Sequence, residues 1–170
     1  HFQAFASLNY PQLIESGVHL TIFNEYLLPQ KRKLRLKAHR NMDDNVAILK
    51  IFPGINKNII DAILGAKNLK ALVLETYGSG NAPMEEWFLD KLNDAIKNGI
   101  HIINVTQCSG GAVMMGHYET SSRLKKMQVI NGKDITTEAA ITKAMYLLGS
   151  DVSHDLFKTV FETSLRGEML

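Results

Sequence analysis

The stretch from Leu72 to Pro83 constrains the fold more than any other part of the sequence. A short apolar run ends there in a turn that contains Gly78, Gly80 and Asn81. Apolar runs of this length are typical of a central parallel strand that helices cover on both faces. A turn that follows such a strand lies at the carboxyl edge of the sheet, where open α/β folds bind their ligands. The stretch therefore predicts a buried strand that carries a binding turn.

Apolar runs and amphipathic segments alternate along most of the chain. The apolar runs predict strands at 46–52, 71–76, 100–105 and, more briefly, 128–130. The amphipathic segments predict helices at 58–66, 84–98, 118–126 and 136–148 and after residue 153, with Thr136 and Ser153 as N-caps. Strands and helices that alternate at this spacing form right-handed βαβ units. We therefore expect a small three-layer α/β/α domain, Rossmann- or flavodoxin-like, with a mostly parallel central sheet of about four strands.

Residues 1–44 are less regular than residues 45–170, which form the predicted α/β domain. The pattern at 13–14 predicts a short helical turn that Gly17 ends. Apolar and polar residues alternate at 18–22, as in a half-buried strand.

A basic stretch at 31–40 allows two interpretations. Its charges could form a nucleic-acid patch, but no aromatic stacking residues are interleaved with them. Leu34, Leu36 and Ala38 alternate with basic residues, which favours an edge strand whose wet face carries the charges. We expect the edge strand.

Length and composition are those of a globular domain. The chain has 170 residues, of which 45% are hydrophobic and 21% charged, and its formal net charge is +2. This small charge would not steer the molecule to nucleic acid, and no apolar run approaches the roughly 18 residues of a membrane span. We expect no nucleic-acid partner and no membrane partner. Because the chain begins with His1 rather than Met, we expect a piece of a longer protein.

Cys108 is the single cysteine, which rules out an internal disulfide and favours a reducing, cytoplasmic location. Glu75 should end a neighbouring strand, and His117 follows nearby, so a thiol hydrolase with Cys108 as nucleophile is one interpretation. The other is that Cys108 is a buried, inert packing residue.

Recognisable cofactor and metal motifs are absent from the sequence. Gly78-x-Gly80 begins like a dinucleotide fingerprint, but Pro83 occupies the position of the third glycine. The P-loop, HExxH, GxSxG and CxxC patterns do not occur. His101 falls on a predicted buried strand and is expected to be a hydrogen-bonded structural residue. We expect no cofactor and no bound metal.

Hydroxyl groups and glycines follow both central strands of the predicted sheet. They are Thr76, Ser79, Thr106, Ser109, Gly110 and Gly111. Because parallel strands end at the same edge, the two turns should lie side by side. Backbone amides of such turns hold carboxylates and other small anions. The residue patterns alone predict an α/β domain that binds a small polar molecule.

Four separated motifs carry a resemblance to a known family. They are TYGSGNAP at 76–83, VTQC at 105–108, GKDITTEA at 132–139 followed by Thr142-Lys143, and LRGE at 165–168. In this order they closely resemble type I bacterial L-asparaginases, and the resemblance runs through essentially the whole chain. It implies that residues 1–44 are the end of a preceding domain with its linker and edge strands. Residues 45–170 would be the smaller carboxyl-terminal domain.

The resemblance also implies an activity. Family members carry a threonine nucleophile in an amino-terminal Thr-Gly-Gly-Thr motif, which does not occur in this sequence. They hydrolyse L-asparagine to L-aspartate and ammonia through an acyl-threonine, and their carboxyl-terminal domain completes the active site of a partner subunit. This fragment would therefore hold no catalytic residue and be inactive alone. Its partners would be L-asparagine, its own amino-terminal domain, and further copies in a homodimer or a dimer of dimers.

Asn81, with Gly80 and Ser79, matches the residues that reach the substrate across the subunit interface in that family. Asn81 would hold the amino-acid head group of the substrate. Plain turn chemistry is the alternative role for Asn81.

Some type I members also bind asparagine at a regulatory site. The candidate effector residues here are Glu75, Thr76, Thr106 and Cys108, and Cys108 matches a cysteine of that site. Glu75 stands where those members have an arginine that would pair with the effector carboxylate. Because Glu75 would repel that carboxylate, we expect asparagine activation to be absent or altered.

Two other functions stay open. A freestanding domain could bind a small amino acid in the same crevice without catalysis. The amidase subunit of archaeal tRNA-dependent amidotransferases has a similar carboxyl-terminal domain, but the Tyr-Gly-x-Gly-Asn-Ala-Pro pattern fits it less well.

Overall fold

A computed structural model of the chain describes residues 6–29, 38–116, 119–150 and 152–170. Most of the predicted basic edge strand, and His117, lie outside the described residues. The strands are β1 (Ile14–Ser16), β2 (Leu20–Ile22), β3 (Val46–Lys50), β4 (Ala71–Thr76), β5 (His101–Thr106) and β6 (Ile130–Asn131). The helices are α1 (Lys57–Leu64), α2 (Glu86–Lys97), α3 (Glu119–Lys126), α4 (Thr137–Leu148) and α5 (His154–Phe161).

A four-stranded parallel sheet in the order β3-β4-β5-β6 forms the centre of the domain. One row of paired residues crosses it, from Ile48 through Val73 and Ile103 to Ile130. Because all four strands run in the same direction, their carboxyl ends meet at one edge. The predicted parallel sheet of about four strands is confirmed.

Helices cover both faces of the sheet, which gives the three predicted layers. Leu72 and Leu74 of β4 pack on the face that α1, α2 and α3 cover. Ala71 and Val73 pack on the face that α4 and α5 cover. All four side chains are fully buried. The alternation of fully buried residues on both faces explains why β4 is a continuous apolar run.

Capping and glycine chemistry set the helix ends. At the start of α4 the Thr136 hydroxyl accepts a hydrogen bond from the N–H of Ala139, as predicted. Ser153 occupies the N-cap position of α5, but its hydroxyl makes no capping hydrogen bond within the described part of the chain. Helix α1 ends at Leu64, earlier than predicted, because Gly65 forms its C-cap. The helices of the described residues are all too short or too polar for a transmembrane segment.

The prediction of a helical turn at 13–14 is wrong, and the strand predicted at 18–22 is present only at Leu20–Ile22 and is exposed rather than half-buried. Strands β1 and β2 form an antiparallel hairpin in which Ile14 pairs with Ile22. Gly17 lies in the tight connection, where its N–H donates to the carbonyl oxygen of His19. All residues of both strands are exposed. Pairing across this turn favours two short strands over a helical turn at Ile14.

Candidate functional site

The turns after β4 and β5 lie side by side at the carboxyl edge of the sheet, as predicted. Thr76 and Thr106 end the two strands in direct register. The N–H of Gln107 donates to the carbonyl oxygen of Thr76 at 2.9 Å. The hydroxyl of Thr106 donates to the carbonyl oxygen of Gly78. The two turns are therefore one hydrogen-bonded unit.

The first turn runs from Tyr77 to Asn81 and has a closed shape. These two residues form an antiparallel bridge, in which the N–H of Asn81 donates to the carbonyl oxygen of Tyr77 at 2.9 Å. Gly78 and Gly80 have φ angles of +50° and +102°, which favour glycine. A Cβ at Gly80 would also lie 2.7 Å from Cγ1 of Val113. Both the backbone angle and the lack of space thus require glycine at position 80.

A buried polar pair supports this turn from below. Thr76 and Asn104, both fully buried, are diagonal neighbours on β4 and β5. The Thr76 hydroxyl donates to Oδ1 of Asn104 at 2.6 Å, and Nδ2 of Asn104 donates to the carbonyl oxygen of Gly80 at 3.2 Å. Sequence reasoning missed Asn104. The sequence feature that could have indicated it is a single amide side chain within the apolar strand 102–105, because a buried amide needs hydrogen-bond partners.

The second turn is formed by residues 107–111, which follow β5. A cavity of about 880 Å³ lies beside it. One wall is the connecting segment 6–10, another carries Glu75, Thr106 and Cys108, and a third is the first turn of α4. Three candidate effector residues therefore share the cavity. The fourth, Thr76, directs its side chain to the opposite face of the sheet, where it bonds Asn104.

The candidate substrate-binding residues form a separate group. Ser79, Gly80 and Asn81 lie together in the first turn, outside the cavity lining. The carbonyl oxygen of Ser79 accepts a hydrogen bond from the N–H of Met114 at 2.9 Å. Thr106 belongs to the cavity and also bonds the first turn, so it joins the two groups.

The carboxylate of Glu75 places a negative charge in the cavity. Its side chain is only 14% exposed. Oε1 accepts a hydrogen bond from the hydroxyl of Thr137 at 2.6 Å, and Oε2 lies 3.7 Å from Nζ of Lys50. Thr137 begins α4, where the helix dipole favours an anion. A ligand carboxylate that enters here would meet a like charge.

Cys108 presents an exposed free thiol at the cavity. It is therefore not the buried packing residue of the simpler interpretation. Its N–H donates to the hydroxyl of Thr106 at 3.0 Å, which fixes the backbone that carries the thiol. His117 lies outside the described residues, so the thiol-hydrolase interpretation stays a prediction.

Asn9, in the connecting segment, is a further residue that sequence reasoning missed. Its Nδ2 donates to the carbonyl oxygens of Asp134 at 2.6 Å and Gly111 at 3.3 Å, and its Oδ1 accepts from the N–H of Gly110 at 3.2 Å. These partners lie more than 100 residues away in sequence. No local pattern could have indicated them.

His101 begins β5 and so lies at the opposite edge of the sheet from the turns. Its ring stacks on Phe157 at 3.9 Å between centroids and packs at a tilt of 32° against His154 at 4.3 Å, so ring packing among the described residues, not the expected hydrogen bond, defines its structural role. Burial, with a smaller contribution from His154, lowers the pKa of His101 to about 4. Among the described residues, no three His, Cys, Asp or Glu side chains are grouped so that they could hold a metal ion.

Comparison with known proteins adds three findings. The profile of the glutaminase/asparaginase C-terminal domain family matches residues 45–161. L-asparaginase 1 of Escherichia coli K12 is 38% identical over 168 residues, which are 99% of this chain and 49% of that protein. The human 60 kDa lysophospholipase is 37% identical over 99% of this chain and 29% of its own length.

A solved structure of an L-asparaginase matches the fold of this chain. L-asparaginase I of Vibrio cholerae superposes with a TM-score of 0.89 at 34% identity, over 98% of this chain and 50% of that one. The chain thus spans about half of these bacterial relatives.

Proposed function

Because the chain belongs to the glutaminase/asparaginase C-terminal domain family, we propose that it is the carboxyl-terminal part of an L-asparaginase. The complete enzyme hydrolyses the side-chain amide of L-asparagine to L-aspartate and ammonia. The acyl-threonine forms on an amino-terminal domain outside this sequence. Residues 45–170 serve as the carboxyl-terminal domain, and residues 1–44 lead into it from the preceding one.

In this proposal, Asn81 completes the active site of a partner subunit. The observation that carries it is the closed turn from Tyr77 to Asn81 at the carboxyl edge of the sheet, with Gly80 held from below by Asn104. Such a turn presents the Asn81 side chain at a fixed position, as binding across an interface requires. A carboxamide offers both donors and an acceptor to the ammonium and carboxylate groups of an amino acid. Gly80 and Ser79 allow the backbone of this turn to come close to the substrate.

The cavity that holds Glu75, Thr106 and Cys108 is proposed as an effector site with altered specificity. Thr76 acts there indirectly, because its carbonyl oxygen accepts a hydrogen bond from the N–H of Gln107, which lines the cavity. The Glu75 carboxylate bonds the hydroxyl of Thr137 in the first turn of α4, near the helix end that would otherwise favour an effector carboxylate. Asparagine is therefore a poor activator of this protein.

The active unit is a homodimer or a dimer of dimers, because a site completed by a second subunit cannot form in a monomer. A cytoplasmic location agrees with the exposed thiol of Cys108, since free thiols persist in reducing compartments.

The first experiment measures ammonia release from asparagine and glutamine by the full-length enzyme. Replacing Asn81→Ala should lower kcat/KM for asparagine by at least about tenfold, mainly through a higher KM, because a head-group contact contributes to substrate binding. Asn58→Ala is the matched control, since Asn58 is an exposed residue of α1. A variant with Asn81→Ala that keeps kcat/KM within about twofold of the wild type would contradict the proposal.

The second experiment tests whether Asn81 acts across the interface. The Asn81→Ala subunit is mixed, after dissociation, with a subunit whose catalytic threonine is replaced. A mixed dimer then contains one intact site, with its threonine from one chain and Asn81 from the other, so activity should return. If each site takes Asn81 from its own chain, the mixture shows only the lowered kcat/KM of the Asn81→Ala enzyme.

The alternative functions give different results. If the protein is a freestanding amino-acid-binding module, this chain alone should bind asparagine, and the full-length protein should release no ammonia. An amidotransferase subunit would release ammonia only in the presence of its tRNA-charging partner. Ammonia release by this chain alone would contradict the assignment of the nucleophile to another domain.

A further inference from the structure

The side chain of Asn9 bonds two separate turns of the domain. As described above, it bonds the N–H of Gly110, the carbonyl oxygen of Gly111 and the carbonyl oxygen of Asp134. The first two belong to the turn after β5, and Asp134 belongs to the turn that precedes α4. One carboxamide in the connecting segment therefore sets the distance between two turns at the edge of the cavity.

The backbone around Asn9 also fits closely against the second turn. A Cβ at Gly110 would lie 3.3 Å from Cβ of Leu8 and 3.4 Å from its carbonyl oxygen, and Gly110 has a φ of +72°. Position 110 therefore favours glycine for its angle, and a Cβ there would also press on the backbone of Leu8. The contact between the two segments is thus set by the backbone as well as by the Asn9 side chain.

A continuous hydrogen-bonded path leads from Asn9 to the first turn. The N–H of Gly111 donates to the carbonyl oxygen of Cys108 at 3.0 Å. The N–H of Cys108 donates to the hydroxyl of Thr106, and that hydroxyl donates to the carbonyl oxygen of Gly78. Displacement of the second turn would therefore move the turn that presents Asn81.

We propose that Asn9 is a positioning residue whose carboxamide holds the turn at 108–111 against the domain and, through Thr106, sets the position of Asn81. The last step of this inference rests on the proposed function. Its consequence is that the connecting segment controls the geometry of the site as well as linking two domains.

The first test uses the full-length protein and follows the reaction of Cys108 with a chromogenic disulfide reagent. The Cys108→Ser variant identifies the part of the signal that belongs to this thiol. Asn9→Ala should accelerate the reaction by about tenfold, since it removes three hydrogen bonds that hold the turn. The control is Gln12→Ala, which removes an exposed side-chain bond to the carbonyl oxygen of Ile14 just beyond the connecting segment and should leave the rate within about twofold.

The isosteric Asn9→Asp variant separates positioning from packing. Asp fills the same space and can still accept from the N–H of Gly110, but its carboxylate cannot donate to the carbonyl oxygens of Gly111 and Asp134. We expect an acceleration at least as large as that of Asn9→Ala. If Asn9→Asp reacts at the wild-type rate, the two hydrogen bonds that Asn9 donates do not hold the turn, and the proposal is overturned.

The second readout is asparagine hydrolysis. Both Asn9 variants should lower kcat/KM by about fivefold through KM, with kcat within about twofold, because a displaced Asn81 weakens binding of the head group. A faster thiol reaction with unchanged kcat/KM would overturn the claim that the position of the second turn sets the position of Asn81. If the wild-type protein releases no ammonia, the proposed function fails, and the thiol reaction still decides whether Asn9 holds the second turn.

Discussion

Removing either partner of the ion pair between Lys143 and Glu168 should destabilise the domain by several kcal/mol. The Lys143 side chain is 4% exposed, and its Nζ lies 2.5 Å from Oε1 of Glu168. The same ammonium donates to the carbonyl oxygen of Thr163 at 2.7 Å and lies 5.1 Å from the centre of the Phe161 ring. The pair joins α4 to the segment that follows α5, so its loss would release that segment.

The two single substitutions should differ in size. Loss of one partner of a buried pair typically costs about 3–5 kcal/mol, because the other charge is left uncompensated. Lys143→Met should fall near the lower limit, since the Glu168 carboxylate keeps hydrogen bonds from the N–H groups of Leu165 and Arg166. Glu168→Gln should fall near the upper limit, because the more deeply buried ammonium loses its counter-charge. The double variant should cost less than the sum by about 1–3 kcal/mol.

Urea unfolding, followed by two optical probes, measures these differences. The matched control is Lys91→Met, because Lys91 forms an equally direct bond with Asp61 at 2.7 Å but both side chains are more than 30% exposed. A surface pair of this kind contributes about 0–1 kcal/mol. If Lys143→Met costs no more than Lys91→Met, or if the two single costs add in the double variant, the reasoning is refuted.

The same pair predicts a dependence on pH. Desolvation opposes ionisation of Glu168, but the Lys143 ammonium and the N–H groups of Leu165 and Arg166 together lower its pKa from 4.5 to about 2. A carboxyl with a depressed pKa contributes stability that is complete above the unfolded pKa and is lost as the pH falls towards 2. The full contribution corresponds to about 3 kcal/mol. Glu168→Gln should flatten the fall in stability between about pH 4.5 and 2.

Two further predictions concern other buried groups. Thr76→Val should cost about 1–3 kcal/mol in urea unfolding, because it leaves Oδ1 of the buried Asn104 without the hydroxyl that donates to it; the exposed Thr142→Val should stay within about 0.5 kcal/mol of the wild type. The depressed pKa of His101 contributes stability that is complete above its unfolded pKa of 6.5 and is lost as the pH falls towards 4, with His154, Asp155 and Lys158 as the neighbouring charged groups. His101→Phe should therefore reduce the loss of stability between about pH 7 and 5, and an unchanged slope would contradict this assignment.

The central sheet was predictable because the hydrophobic period and the length of each segment are enough to identify its strands. Strand β4 was predicted with its observed bounds, since a buried strand between two glycine-containing turns has few other interpretations. Strand β6 lies later than predicted, because Gln128 adopts a φ of +67° and redirects the chain after α3. In the hairpin at 14–22, alternation indicated the second strand, but the first strand was taken for a helical turn because its three residues are exposed and too few to show a period.

The partners of the site residues were less predictable than their positions. The Lys143–Glu168 pair joins two of the four motifs that carry the family resemblance, yet the sequence shows them 25 residues apart with no sign of contact. Asn9 and Asn104 likewise bond residues distant in sequence. Such contacts depend on how helices and connecting segments pack on the sheet, and periodicity carries information only about which face of an element is buried.

The rigidity of the first turn has a physical reason if Asn81 acts in a partner's site. A residue that enters a site from another subunit must have its conformation set by its own domain before assembly, because any freedom lost on assembly reduces the free energy of binding. The bridge between Tyr77 and Asn81, the glycine-only fit at Gly80 and the amide of Asn104 each restrict that freedom. The hydroxyl of Thr106 fixes the same turn to β5, and the hydroxyl of Thr76 holds the Asn104 amide in place. In the proposed function, the nucleophile belongs to another domain, and this turn still determines how well the substrate is bound.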